Sequence, residues 1–253
     1  MSVSYPQAVT SFSFRRPPVI EVAIGIEFVT PAPLAVQSVF DLRETLGEAY
    51  PRVELQPPLP PLPPLGVSGT YLGLQFGGPA NRWWFLSGDD SRLIQLQQDR
   101  LLLNWRRTAQ DSVYPRFHSL LPEFLDLAGS VGAAVGNLQI LSMQTDYYNR
   151  DDDLSPGSGL SELLAACRPT TGDLETRITR GTKIDAHEAV VSLSARRDHD
   201  APALFGVTAR SGAGGLAGDN KQGLTAGLGA LHDLALRTFH EEICSAAKRR
   251  WMR

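Results

Sequence analysis

The stretch from Trp83 to Arg106 constrains this chain more than any other, because its apolar residues alternate with polar ones through two tight reversals. Trp83-Trp84-Phe85-Leu86 reads as a strand and Ser87-Gly88-Asp89-Asp90 as a turn. Arg92 to Gln97 is a second strand, Gln98-Asp99 a two-residue turn, and Arg100 to Arg106 a third strand. A two-residue turn sets Leu96 opposite Leu101, Ile94 opposite Leu103 and Arg92 opposite Trp105 on one surface. The other surface carries Gln95, Gln97, Arg100, Asn104 and Arg106, with Leu93 and Leu102 among them. One face of this meander is therefore core and the other largely polar, as an antiparallel sheet allows and a parallel sheet does not.

The rest of the chain fits an α+β reading with antiparallel sheets backed by helices. Residues 1–16 read as a flexible N-terminal arm ending before Pro17-Pro18. Val19 to Val29 is a strand, since Ile20, Val22, Ile24, Ile26 and Phe28 fall on one side. Leu34 to Tyr50 has helical spacing, and Pro51 closes it. The proline-rich segment 57–64 must be mainly extended, because proline fixes φ and removes amide donors. It reads as a connector with its leucines tucked in, although its PxxP spacing also suits docking to an aromatic groove. Residues 117–134 form an amphipathic helix and Leu138 to Tyr148 a strand.

The charged and turn-forming run from Arg150 to Gly159 predicts an internal boundary. It divides the chain into an N-terminal half, 17–150, and a C-terminal half, 151–253, of weakly similar element order. The second half reads as a short helix from Leu160 to Cys167, then strands near 173–184, 187–197 and 203–210. A glycine-rich loop over 211–219 follows, with a flexible loop as the reading. A long helix from 222 to 250 ends the chain, with a buried stripe through Leu224, Leu228, Leu231, Ala235, Phe239, Ile243 and Ala246.

Composition excludes several classes. With 24 basic and 27 acidic residues, the net charge of −3 lacks the excess that phosphate neutralisation demands, so nucleic acid is not the expected partner. Cys167 and Cys244 have no metal-ligand spacing and fit buried thiols in a reducing compartment. No secretory signal and no membrane span is expected, which points to the cytoplasm. No P-loop, HExxH, GxSxG or paired CxxC occurs, and no catalytic residue, cofactor or metal ligand is assigned. The 5 histidines are scattered, and His232 and His240 lie about two helical turns apart, too far to share a metal. Asp198-His199-Asp200 and Asp151-Asp152-Asp153 read as solvated turns.

Several blocks resemble a known family. They are Pro18-Val19-Ile20-Glu21-Val22, Tyr50-Pro51 with Gln56 to Pro61, Ser91 to Arg100 with Asn104-Trp105-Arg106, Tyr114-Pro115-Arg116, and Leu236-Arg237-Thr238-Phe239 with Trp251. Together they resemble an uncharacterised family of sporadically distributed bacterial proteins whose function is not established. The likeness supplies no catalytic residues. Its patchy distribution implies accessory loci, such as those of defence or toxin–antitoxin systems.

The functional expectation is a binding or regulatory protein that recognises a partner protein, in the manner of an antitoxin or immunity component. The expected face is Gln95, Gln97, Arg100, Asn104 and Arg106 with Tyr114 and Arg116, whose amides and guanidinium groups suit carboxylates, phosphates or peptide backbone. Two alternatives stand beside it. One is a small-molecule or nucleotide-binding enzyme using the cleft between the halves, with the 211–219 glycines over an anion. The other is nucleic-acid binding through Arg15-Arg16 and the basic end from Lys248 to Arg253.

Overall fold

A computed structural model describes residues 14, 17–30, 34–60, 62, 65, 81–109, 112–136, 138–154, 163–164, 174–197 and 201–252. The alternating segments form β1 (Val19–Val29), β2 (Arg52–Gln56), β3 (Arg82–Leu86), β4 (Arg92–Gln97), β5 (Arg100–Arg106), β6 (Gln139–Asp151), β7 (Leu174–Ile184), β8 (His187–Arg197) and β9 (Ala203–Ala217). The helices are α1 (Val36–Leu46), α2 (Phe117–Val135), α3 (Lys221–Glu242) and α4 (Ser245–Met252).

All nine strands join one antiparallel sheet in the order β2-β3-β4-β5-β1-β6-β9-β8-β7. The two halves of the chain are thus two ends of one sheet rather than two separate sheets. The order of elements runs alike in the two parts. In the first half a leading strand, β1, lies beside the last strand of the meander β3-β4-β5, and α2 follows. In the second half β6 lies beside the last strand of β7-β8-β9, and α3 follows. The leading strands β1 and β6 pair antiparallel at the middle of the sheet, Ile24 opposite Thr145. α2 and α3 lie against each other on the same face.

That face is the core. Val22, Ile24 and Ile26 of β1 lie beside Trp105, Leu103 and Leu101 of β5, and with Phe28 they share one buried cluster with Phe205, Val207 and Ala209 of β9 under α2 and α3. From the helices come Leu120, Phe124 and Val131 of α2 and Leu224, Leu228 and Leu231 of α3. Each such side chain contributes roughly 1.5–3 kcal/mol by leaving water. α1 lies against α2, where the Ser38 hydroxyl donates to the Ala134 carbonyl at 2.9 Å. Asn220 caps α3 by accepting from the Gly223 amide at 2.8 Å. β1 is hemmed in on its other side too: a Cβ on Gly25 would sit 2.3 Å from Leu102 Cδ2 and 3.1 Å from the Leu101 carbonyl.

The meander register is the one the two-residue turn predicts, with Leu96 on Leu101, Ile94 on Leu103 and Arg92 on Trp105. Four readings of the sequence change. The edge strand β2 was hidden by its charged residues: it borders solvent, where Arg52 and Glu54 are exposed and alternation has no core to serve. The glycine-rich run is not a loop but the end of β9, paired to β6. A bulge between Ile140/Ser142 takes up the extra residues, and Gly214 and Gly215 supply its positive φ of 59° and 77°. The last helix is broken. Ile243 turns extended, Leu164 bridges to it, and the Cys244 amide donates to the Leu163 carbonyl at 2.9 Å. The break rotates the stripe, so Ala247 and Trp251 are buried and Ala246 is only half-buried. Of the helix expected over Leu160 to Cys167, only Leu163 and Leu164 are described, and Leu164 lies in that bridge. The arm 1–16, apart from Phe14, and Cys167 lie outside the described residues.

No helix among the described residues is long and apolar enough to cross a membrane.

Candidate functional site

Where α2 packs beside α3, a space is left near the start of α2. A cavity of about 450 Å³ opens there, lined from the first half by Pro17, Pro18, Val19, Tyr114 and Arg116 to His118. The second half supplies Tyr147 and Asn149 of β6, Val207 of β9, and the α3 residues between His232 and His240. The size lies in the ordinary range for small-molecule sites, as does an apolar wall with a few polar groups.

Aromatic packing builds the wall. Phe117 stacks on His232 with centroids 4.2 Å apart and planes 3° from parallel. His118 meets the same imidazole edge-on at 5.7 Å. At the far end Phe205, Phe239 and Trp251 stack in turn, and Phe14 abuts Trp251 edge-on at 5.6 Å. The break before α4 is what brings Trp251 back onto Phe239.

The polar groups cluster: the phenols of Tyr114 and Tyr147 are neighbours that perturb one another, with the Phe117 amide of the first turn of α2 beside Tyr114. The Tyr147 hydroxyl meets His232 Nδ1 at 2.5 Å. A neutral His232 either accepts from the Tyr147 hydroxyl at Nδ1 and carries its proton on Nε2, or donates from Nδ1 and presents Nε2 as an acceptor. Nε2 has no hydrogen-bond partner among the described residues, on a ring that is 8% exposed and lines the cavity.

Burial holds these groups in one protonation state. It lowers the His232 imidazole to about 4, with His118 adding to the effect, so the ring is neutral at pH 7. It pushes the Tyr114 phenol up to about 12, and the Tyr147 phenol far above its ordinary range. Asn149 is fixed by donating to the Tyr147 and Phe205 carbonyls, each at 3.4 Å.

The residues singled out from sequence separate onto two sides of the sheet. Tyr114 and Arg116 line the cavity, with Tyr114 packed on Trp105 at 5.2 Å and beneath the Arg116 guanidinium. Gln95, Gln97, Arg100, Asn104 and Arg106 lie on the opposite, polar face, where the first four are buried. Gln95 accepts from Arg82 Nη1 at 3.0 Å and Trp84 Nε1 at 3.2 Å, and it donates to Asn104, which donates to Glu21. Arg106 donates to the Asp90 carbonyl at 3.2 Å. Arg100 reaches Glu27 at 3.3 Å, and Arg210 of β9 takes the other Glu27 oxygen, with Ser142 donating to that oxygen as well. Glu27 thereby ties the two halves together across β1 and β6. Asp146 is buried in the same face, and burial raises its carboxyl to about 6 against hydrogen bonds from Thr208 and Gln144.

His118, Tyr147 and His232 were missed in the sequence because they are far apart along it. The signal present was the alternation of β6, which puts Tyr147 on the same face as Thr145 and Met143. Among the described residues no group of three or more His, Cys, Asp or Glu is placed to hold a metal ion.

The fold and cavity define an antiparallel α+β protein built on one nine-stranded sheet, with a ligand-sized space lined from both parts of the chain. The chain matches no protein-family model, and no curated protein matches it in sequence.

Proposed function

We propose that this is a ligand-binding protein whose ligand is a small molecule held in the cavity between the two halves. The observation that carries the reading is the Tyr147–His232 hydrogen bond in the wall of an apolar space of about 450 Å³; with Tyr147 donating to Nδ1, the imidazole offers its Nε2 proton to that space. A ligand with an apolar body and one hydrogen-bond acceptor fits that arrangement. Binding is favoured over catalysis because two phenols raised out of range and a neutral imidazole hold their protons fixed at pH 7. A general acid or base works best with a pKa near the operating pH. A ligand that bridges α2 and α3 would also tighten the joint between the halves, a way for occupancy to reach the rest of the sheet.

The test is a thermal-shift panel of apolar carboxylates, ketones, amides and nucleotides against the wild-type protein and Leu236→Trp. Leu236 lines the cavity from α3, and an indole there obstructs it. Binding to the native state raises Tm, by an amount equivalent to about 2.7 kcal/mol at a hundred times Kd. The reading expects at least one acceptor-bearing apolar compound to stabilise the wild type and to lose that effect in Leu236→Trp. Stabilisation that survives the indole would place the site elsewhere.

A further inference from the structure

The polar face of the sheet carries a second binding arrangement, independent of the cavity. Beyond β2 the chain crosses onto this face through Pro57-Pro58-Leu59-Pro60. The Gln97 carboxamide then grips the main chain of a single residue from both sides. The Leu59 amide donates to Gln97 Oε1 at 2.8 Å, and Gln97 Nε2 donates to the Leu59 carbonyl at 3.3 Å. Arg100 Nη2 donates to the Pro60 carbonyl at 3.3 Å. Leu65 then lies against β9, 3.7 Å from where a Cβ on Gly212 would stand.

The spacing of the leucines matches this grip. A polyproline helix turns once every three residues. Leu59, Leu62 and Leu65 therefore share one side of such a helix. Each is half-buried, whereas Pro57, Pro58 and Pro60 are exposed. The receptor beneath is built rather than incidental: Gln97 and Arg100 are 2% and 4% exposed, and Arg100 Nε has no partner among the described residues. Its polar contacts go to the strap's main chain, so nothing in them requires the strap to be covalently attached. This is how proline-rich ligands are read in general: a preformed, low-entropy helix presenting carbonyls and one apolar edge.

We propose that this face is a receptor for an extended, leucine-bearing proline-rich segment of a partner protein, and that the chain's own segment occupies it in cis. Displacement of the strap exposes Gln97, Arg100 and the Glu27 network to the incoming peptide.

The experiment uses a fluorescein-labelled peptide of residues 56–65, QPPLPPLPPL, in an anisotropy titration. The competing strap is weakened in the full chain by Leu59→Ser with Leu62→Ser. This variant is expected to bind the peptide with a Kd at least tenfold below that of the wild type, and Gln97→Ala added to it should abolish the gain. A folded strap variant that binds no more tightly than wild type overturns the proposal, as does a gain that survives Gln97→Ala. If the double serine variant does not fold, Leu59→Ser alone and the wild type are titrated to millimolar peptide by NMR. Shifts confined to the Gln97 side-chain amide and its neighbours support the proposal, and their absence overturns it.

Discussion

The Tyr147 hydroxyl and His232 Nδ1 lie 2.5 Å apart, a hydrogen bond that joins β6 to α3 inside the core. Both residues are buried, so neither can exchange its partner for water without cost. The bond therefore orients the imidazole, and Phe117 holds the ring from its flat side.

His232→Ala removes the acceptor of a buried phenol and leaves a hole beside Phe117. We expect a loss of about 2–4 kcal/mol in urea unfolding. His232→Phe fills the space and keeps the stack, so its loss should be nearer 1–2 kcal/mol, the cost of a stranded hydroxyl alone. Tyr147→Phe introduced into His232→Phe should then cost less than in the wild type, a coupling measurable as a double-mutant cycle.

Acidification sets two buried groups against each other. His232 is held near 4 when folded and titrates near 6.5 when unfolded, so the unfolded chain binds the extra proton between those values. Its contribution is present above 6.5 and is lost as pH falls towards 4, by about 3 kcal/mol in all. Asp146 runs oppositely. Its folded carboxyl is raised to about 6 from 3.8, so its stabilising protonation is complete below 3.8 and is lost as pH rises through 6. The two should nearly cancel from pH 6 to 4. Asp146→Asn removes one side, and its stability, followed by chemical denaturation, should fall across that range more steeply than the wild type's.

Glu27 neutralises both Arg100 and Arg210, and removing it strands two guanidinium groups on a largely buried face. Glu27→Ala should cost about 3–5 kcal/mol. Replacing all three together by methionine and leucine should cost far less, because no uncompensated charge remains. Equal losses in the single and triple variants, read from urea midpoints, would contradict this.

Two glycines make a matched pair. Ala at Gly25 meets the Leu101 carbonyl at 3.1 Å as well as Leu102, and backbone of the central sheet cannot retreat. Ala at Gly227 in α3 meets only the end of Met143, a flexible side chain, and gains helix propensity. Gly25→Ala should lower stability by about 1–3 kcal/mol, and Gly227→Ala should change it by less than about 1 kcal/mol.

The meander was legible because its two-residue turn and its alternation point to the same register. α2 was legible from Phe117, Leu120, Leu121 and Phe124, which all face one way. What local pattern does not carry is contact between distant segments. The single sheet depends on β1 pairing with β6, and two strands with matching alternation do not reveal that they are neighbours. The polar meander face suggested an open surface, since Gln and Arg are usually solvated. Its burial depends on Leu59 and Pro60 returning across it. The cavity was out of reach for the same reason: His118 and His232 meet only because α2 packs against α3.

The most direct test of the central claim is ligand-observed NMR with a small-fragment library on the wild-type protein, repeated on Leu236→Trp. The account predicts that acceptor-bearing apolar fragments bind the wild type, shift the His232 ring resonances, and are lost from Leu236→Trp. Fragments that bind both proteins equally, or that leave the His232 ring unmoved, would contradict it.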